Sequence, residues 1–479
     1  MTAGSSWLEQ LRRHRNEYLA ALSATLAIFM VVCTNAWSSP AIPKLLAEPD
    51  PPVSITADAG SWIVSIQSIG GIFGMIMSGL TVDRFGRKWP FIGSAIPIIT
   101  GWIMIALARL PLLLYVARFL FGVAYGIAYG IVPIYIGEIT SDAVRGAAAS
   151  FITMMAKLAI LFEYSVGPYV GFETLAWLGL LGAALFLSTF VWMPESPHYL
   201  LGKGRTDEAR RTIRWLRRYS QVEEELLAIQ RSVERASGDD TSMLDLFQPQ
   251  YRNNLIIVFI LGIGINLAGM QAILSYAQTI FAGITSELTQ AEMSIVLGAV
   301  QMVTVLFPVF FVDRIGRRPL MLWSSAGSAL GLLMGSVYFT LDAAGVAVQP
   351  YGWVSFVGLV LFVISYAFGL ATVPFAILSE IFPKNIRAYA NALFGILSGA
   401  AIFAVVKLFQ VALDNVGAYL PFWVFTVSTV LLFGLVFLYI PETKGQSLDE
   451  VQEIISRWRT RREIEEPITD NKQSMSRAI

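Results

Sequence analysis

The sequence predicts an all-α membrane protein, with twelve transmembrane helices in two six-helix pseudo-repeats and short helices on one membrane surface. Three observations carry this expectation. The 479 residues are 55% hydrophobic and only 14% charged, with a mean hydropathy of +0.62, where soluble domains carry roughly 25% charge. The apolar residues gather into runs of about 20, long enough to cross a hydrocarbon layer of ~30 Å. Three charged signatures each occur twice, in the same order, between those runs.

In chain order the predicted spans lie near 18 to 38 (span 1), 62 to 82 (span 2), 89 to 109 (span 3), 111 to 136 (span 4), 147 to 170 (span 5) and 174 to 193 (span 6). They continue near 255 to 281 (span 7), 292 to 312 (span 8), 319 to 341 (span 9), 351 to 378 (span 10), 389 to 413 (span 11) and 419 to 440 (span 12). The first run follows a polar stretch and has no small-residue cleavage pattern, so it reads as a retained helix and not as a signal peptide. With both termini cytoplasmic, every Lys and Arg except Lys44, Arg109, Arg118, Lys157 and Lys407 falls in a tail or an inner loop. The positive-inside rule then fixes that orientation for a multi-pass protein of the cell membrane. The expected organisation is a cytoplasmic N-tail 1–17, a six-helix bundle 18–193, a cytoplasmic linker 194–254, a second bundle 255–440 and a cytoplasmic C-tail 441–479. Mixed charges in the linker suit short helices lying against the membrane, with Ser196 as an N-cap and Pro197 as the first helical residue. Ser447 and Glu450 form a capping-box pattern in the C-tail.

Composition also excludes several functions. Lys+Arg and Asp+Glu both total 34, so no basic field exists for nucleic acid. The single cysteine, Cys33, lies inside span 1, and the two histidines, His14 and His198, lie outside the spans and far apart in sequence. No disulfide, metal or redox site is expected from them. The phosphate-binding pattern Gly-x-x-x-x-Gly-Lys-Ser/Thr is missing, and no nucleophile, base and orienting group occur together in the inner loops, so neither a cofactor nor an enzymatic activity is expected.

The repeated signatures pair Asp83-Arg84-Phe85-Gly86-Arg87-Lys88 with Asp313-Arg314-Ile315-Gly316-Arg317-Arg318. They pair the stretch from Glu138 to Arg145 with that from Glu380 to Arg387, and Pro194-Glu195-Ser196 with Pro441-Glu442-Thr443. One six-span unit used twice places a path for a solute between the halves at mid-membrane. Acids and arginines at the inner ends of both halves can pair when those ends approach and release when they part. Each exposed pair contributes about 0 to 1 kcal/mol, so several together bias a two-state equilibrium without locking it. The alternative is that these charges set topology and tighten short turns, for which acids are not required. Candidate latch residues are Asp83, Arg84, Arg87, Glu138, Arg145, Glu195, Asp313, Arg314, Arg317, Glu380, Arg387 and Glu442.

Glycines four apart, Gly122, Gly126 and Gly130 in span 4 and Gly327, Gly331 and Gly335 in span 9, predict close helix packing, with dimerisation as the alternative. Trp62, Trp89, Trp192 and Trp353 sit near span ends as expected of interfacial anchors. For a neutral polar solute, mid-span amides and hydroxyls can replace a water shell without placing ions in lipid. Thr153, Asn266, Gln271, Ser275, Tyr276 and Gln301 qualify, with Thr34, Asn35 and Ser38 in span 1; each amide could instead bond helix to helix.

Gly79-x-x-x-Asp83-Arg84-x-Gly86-Arg87-Lys88, Arg118-Phe119-Leu120-Phe121-Gly122, Val132-Pro133-x-Tyr135-x-x-Glu138 and Pro441-Glu442-Thr443-Lys444-Gly445 together resemble the sugar-porter family of the major facilitator superfamily. Ala36-Trp37-Ser38-Ser39-Pro40 and Ser61-Trp62 look like its insect trehalose and hexose facilitator branch. The resemblance implies facilitated transport of a sugar across a lipid bilayer by alternating access. It also exposes departures. Where the family usually carries Gln-Gln-x-Ser-Gly-Ile-Asn in span 7, this chain has Ile265-Asn266-Leu267-Ala268-Gly269-Met270-Gln271. Gln301 replaces an Asn, Phe375 a Trp, and Ser398-Gly399 an Asn-Trp pair. A wider, less amide-rich cavity is implied, suited to trehalose or another polyol, or no longer suited to sugar.

Proton-coupled relatives place an Asp in span 1 near an Arg in span 4. Arg118 is present, but Ser38 stands at the acid's position, which implies a uniporter. Two intramembrane charges remain for the alternative of a proton symporter. Lys157 lies roughly 18 Å along span 5 from Arg145 at 1.5 Å per residue, facing an aqueous cavity or another helix, and Glu163 is a candidate proton site. Lys407 is expected to snorkel to the outer interface. A transport-inactive sugar sensor is the third reading.

Overall fold

The computed structural model describes residues 13–47, 51–219, 222–237, 243–284, 287–305, 314–446, 450–452 and 454–455. Among them every regular element is a helix. A hydrocarbon surround imposes this, because a helix satisfies its own backbone N–H and C=O groups where water cannot. Among the described residues eleven helical runs are long and apolar enough to cross a membrane, and they coincide with eleven of the predicted spans. Span 8 begins as Gln290–Thr304, initiated by a capping box between Thr289 and Glu292. The rest of its predicted length, together with Asp313 and Ser447, lies outside the described residues.

Several spans are broken where the sequence suggests continuity. Span 1 is divided at Trp37 into Arg15–Ala36 and Ser38–Ala47, just ahead of Pro40, which has no N–H to give the ladder. Span 7, expected to be one helix, consists of Arg252–Leu267, Met270–Ser275 and Ala277–Ala282. Its first break is Gly269, at φ +82°, where a Cβ would lie 2.4 Å from the Phe425 ring. Only glycine meets both demands. Span 10 is divided into Gly352–Phe368 and Val373–Ile381, with Pro374 in the first turn of the second piece.

The packing scheme is duplicated. In the first half span 2 packs on span 4, span 3 on spans 4 and 6, and span 1 on spans 5 and 6. In the second half span 8 packs on span 10, span 9 on spans 10 and 12, and span 7 on spans 11 and 12. The halves meet along two seams, span 2 with span 11 and span 5 with span 8. The glycine stripes work inside the halves: a Cβ on Gly122 would fall 2.0 Å from the Gln67 carbonyl oxygen, and one on Gly331 2.5 Å from that of Gly358.

The linker forms the short helices Pro197–Gly202, Thr206–Arg217 and Glu223–Ser237. Ser196 caps the first, its hydroxyl accepting from the N–H groups of His198 and Tyr199, with Pro197 next. Leu200, Ala209, Ile213, Val222 and Leu226 close into a small apolar cluster of their own. Arg217 fastens this unit to the first half, reaching Glu17 at 3.0 Å, Glu225 at 2.6 Å and the Ile139 carbonyl at 2.9 Å. Glu17 accepts in turn from the backbone N–H and the hydroxyl of Ser141.

Candidate functional site

One face of the molecule gathers the charged signatures and the linker helices. Each half holds its own cluster there. In the first, the Arg87 guanidinium donates to both Glu138 oxygens at 2.8 and 2.7 Å, and the Ser196 hydroxyl donates to the same carboxylate. Glu195 accepts from the backbone N–H groups of Arg87 at 3.0 Å and Ser196 at 2.8 Å, and from that of Lys88. The second cluster repeats the first. Arg317 donates to Glu380 at 3.1 and 2.8 Å, the Thr443 hydroxyl donates to Glu380, and Glu442 accepts from the N–H groups of Arg317 and Arg318. Gly86 and Gly316, at φ +89° and +107°, let the backbone come this close: a Cβ would lie 2.3 Å from Glu195 and 2.6 Å from Glu442 respectively. Burial pushes the Glu195 pKa above the ordinary carboxylate value, against the pull of the Ser196, Arg87 and Lys88 amides.

The sequence reading lets these charges pair between the halves when the inner ends approach and release when they part; in this structure they pair within each half. Arg145 meets Asp142 at 2.7 Å and the Thr140 carbonyl, and Arg387 donates to the Phe382 carbonyl. Asp83 is exposed, 3.7 Å from Arg87, and Arg84 lies over Phe85. The Arg314 carbonyl accepts from Lys444.

Between the halves, hydrogen bonds run from mid-membrane to the opposite face. Lys157 donates to Gln301 at 2.9 Å, Tyr164 to the Leu274 carbonyl at 2.6 Å, and Gln271 to Asn35 at 2.6 Å. The Gln278 N–H reaches Ser39. Farthest out, Lys407 of span 11 donates to Asp58 at 2.7 Å and to Ser61 at 2.6 Å, 4.5 Å from the Trp62 ring centroid. This corrects the expectation for Lys407. It does not snorkel, because an acid and a hydroxyl on span 2 offer it partners across the seam. Trp62 likewise packs on Phe403 of span 11. Toward the charged face the same seam continues as apolar contact of Gly399 with Ile72 and Gly395 with Met75.

At mid-membrane the structure brings Gln271 together with Asn35 and with Ser275, the latter at 3.4 Å, and Gln301 with Lys157. Tyr276 is buried at the second break of span 7, stacked on Phe409, and its hydroxyl has no hydrogen-bond partner among the described residues. Asn266 donates to Gly262 of its own helix at 2.7 Å, the local bond open to any helical amide. Thr153 and Phe375 are exposed, Phe375 with its ring on Phe394. Sequence reasoning missed Gln67, buried in span 2 and bonded to Thr34 at 3.1 Å, although an amide in an apolar span was signal enough.

Two intramembrane charges are enclosed differently. Arg118 donates to the Ile63 carbonyl at 2.9 Å and to that of Thr34, with Trp37 beneath its guanidinium. Carbonyls and a ring replace the missing acid. Glu163 is fully buried with the Cys33 thiol beside its carboxyl, and no basic side chain forms an ion pair with it among the described residues.

The profile of the "Sugar (and other) transporter" family matches residues 18–455. The chain is 30% identical over 442 residues to a facilitated trehalose transporter, Tret1, of Culex quinquefasciatus, covering 91% of this chain and 85% of that protein. It is 30% identical to the Tret1 of Bombyx mori, covering 91% and 86%. In fold it is similar to the inward-open xylose transporter XylE from E. coli, with a TM-score of 0.77 at 21% identity over 91% of this chain and 98% of that one. The XylE structure bound to 6-bromo-6-deoxy-D-glucose gives 0.73 at 21% identity, covering 92% and 99%.

Proposed function

The chain belongs to the sugar (and other) transporter family, and from that premise we propose that it carries a sugar, trehalose or a hexose, down its gradient by facilitated diffusion. The two units 18–193 and 255–440 rock about the mid-membrane amides, and the charged face is the cytoplasmic one, as the distribution of Lys and Arg requires. Both termini then lie in the cytoplasm and the protein serves in the cell membrane. The observation that carries the reading is the asymmetry of the bonds. The outer face is fastened between the halves by Lys407, Asp58 and Ser61, while the inner clusters keep their charges each within one half. That is the arrangement of a carrier closed to the outside and released toward the inside. In the return stroke, Arg145 and Arg387, which hold only an exposed acid and backbone carbonyls here, would pair with acids of the other half.

Uniport is supported by span 1, where Ser38 bonds to the Asn35 carbonyl, and among the described residues no acid forms an ion pair with Arg118. Vesicles containing the purified chain should take up labelled trehalose or glucose and show counterflow, with flux indifferent to a pH gradient. No counterflow of either sugar defeats the substrate assignment. The second reading, proton coupling, is favoured by one observation, the fully enclosed Glu163 carboxyl, beside the Cys33 thiol and without a basic partner among the described residues. Sugar-induced alkalinisation that disappears in Glu163→Gln would establish it, and flux insensitive to pH would end it.

A further inference from the structure

Lys157 stands at mid-membrane on the seam between the halves, and its ammonium donates to the Gln301 side-chain oxygen at 2.9 Å. Among the described residues no carboxylate forms an ion pair with it; Glu163, on the same helix, lies against Cys33 of span 1 instead. Lys157 is partly buried; an amide oxygen solvates its cation without neutralising it, so the charge stays open to an anionic ligand. The partner amide carries the same deficit. Gln301 is buried, its oxygen is taken by Lys157, and its NH2 group has no hydrogen-bond partner among the described residues. Together the two side chains therefore present unfilled donors and one positive charge, with one lone pair of the Gln301 oxygen as the remaining acceptor. A neutral sugar can offer these donors its hydroxyl oxygens, but only a ligand with a negative charge also neutralises the ammonium and accepts the stronger charge-assisted bond.

We propose that this site admits a sugar acid, a polyhydroxylated solute bearing a carboxylate such as a hexuronate. Its carboxylate accepts from the Lys157 ammonium and the Gln301 amide, and its hydroxyls exchange hydrogen bonds with the amide and hydroxyl groups of Gln271 and Ser275. Two oxygens with several lone pairs match the ammonium and the NH2 group, and the intramembrane charge is neutralised when the solute is bound. The inference deepens the transport reading and takes from it the place of the site. It also implies that flux of the acid moves charge and responds to voltage, whereas flux of glucose does not.

The test compares D-glucuronate, D-glucose and trehalose on the full-length protein, with binding read as a shift in thermal unfolding in detergent and flux read in proteoliposomes. Glucuronate is expected to bind about tenfold more tightly than glucose, the worth of one charge-assisted hydrogen bond. Lys157→Gln should abolish that preference and Lys157→Arg should retain it. Equal affinity for glucuronate and glucose in the native protein overturns the inference, as does a Lys157→Gln variant that still prefers the acid. Glucuronate preference in binding with no flux of any solute defeats the transport reading and leaves this one standing. Flux of glucose or trehalose with no glucuronate preference does the reverse.

Discussion

Lys407 and Asp58 face each other across the two halves at 2.7 Å, although 349 positions separate them in the chain. The lysine is nearly enclosed, at 15% side-chain exposure, and the aspartate is open to solvent at 71%. Such a pair is worth little to overall stability, because water and salt screen its exposed partner. On the proposed alternating-access reading its effect falls instead on the balance between two shapes, because opening the outer face would part the two residues.

Lys407→Gln is therefore expected to shift that balance toward the outward-facing state by about two- to fivefold. A cysteine introduced at Ser39 in a Cys33→Ser background should react faster with a membrane-impermeant maleimide once the pair is lost, and high salt should mimic the variant in the native protein. Unchanged labelling would show that the pair does not hold the outer face.

Arg87→Ala removes the bidentate partner of a nearly enclosed Glu138 and leaves its carboxylate with only the Ser196 hydroxyl among these contacts. The expected loss is about 2 kcal/mol of stability, read as a lowered midpoint of thermal unfolding in detergent. Arg145→Ala touches only an exposed Asp142 and a backbone carbonyl, so its midpoint should stay within about 0.5 kcal/mol of the native protein while the return to the outward-facing state slows. Equal destabilisation by the two variants would contradict the roles given to them.

His198 provides a pH dependence with a definite sign. Burial lowers its pKa below the ordinary 6.5; the charge of Glu138 opposes this, and those of Arg87 and Arg145 reinforce it. The unfolded chain then binds the proton more readily than the folded one, so its contribution is complete above 6.5 and is lost as pH falls through the folded value. Acidification from about pH 7.5 to about pH 5.5 should lower the unfolding midpoint more in the native protein than in His198→Gln. An identical pH profile for both would remove the histidine from the account.

Much of this was legible in the residues, and the rest was not for physical reasons. Hydropathy places spans because lipid demands apolar surface whatever the neighbour, and glycines four apart mark a packing face because only a missing side chain permits backbone contact. Partner choice is another matter. Glu138 attracts any arginine within reach, so its sequence neighbours fit a pair within the half as well as one between halves, and geometry alone selects Arg87. Lys407 is ambiguous in the same way, because a long side chain near a span end can reach water or an acid on another helix. The break at Gly269 depends on the Phe425 ring behind it, a neighbour no local pattern announces.

Gly122→Leu should be among the most damaging single changes in the membrane region, since even a Cβ would sit 2.0 Å from the Gln67 carbonyl oxygen. Overpacking of this kind costs about 1–3 kcal/mol or more, and loss of monodisperse protein on size exclusion is the expected readout. Gly79→Leu is the control, because no neighbour lies within 4 Å of its Cβ position. Equal yields would show that the seam between spans 2 and 4 relaxes freely.

The self-contained character of the two charge clusters bears on how the chain is made. A nascent chain that has delivered residues as far as Ser196 already holds Arg87, Glu138, Glu195 and the hydroxyl that joins them, and needs nothing still inside the ribosome to complete that knot. The early bundle can thus consolidate as a unit during synthesis, and the later one can dock onto a finished template.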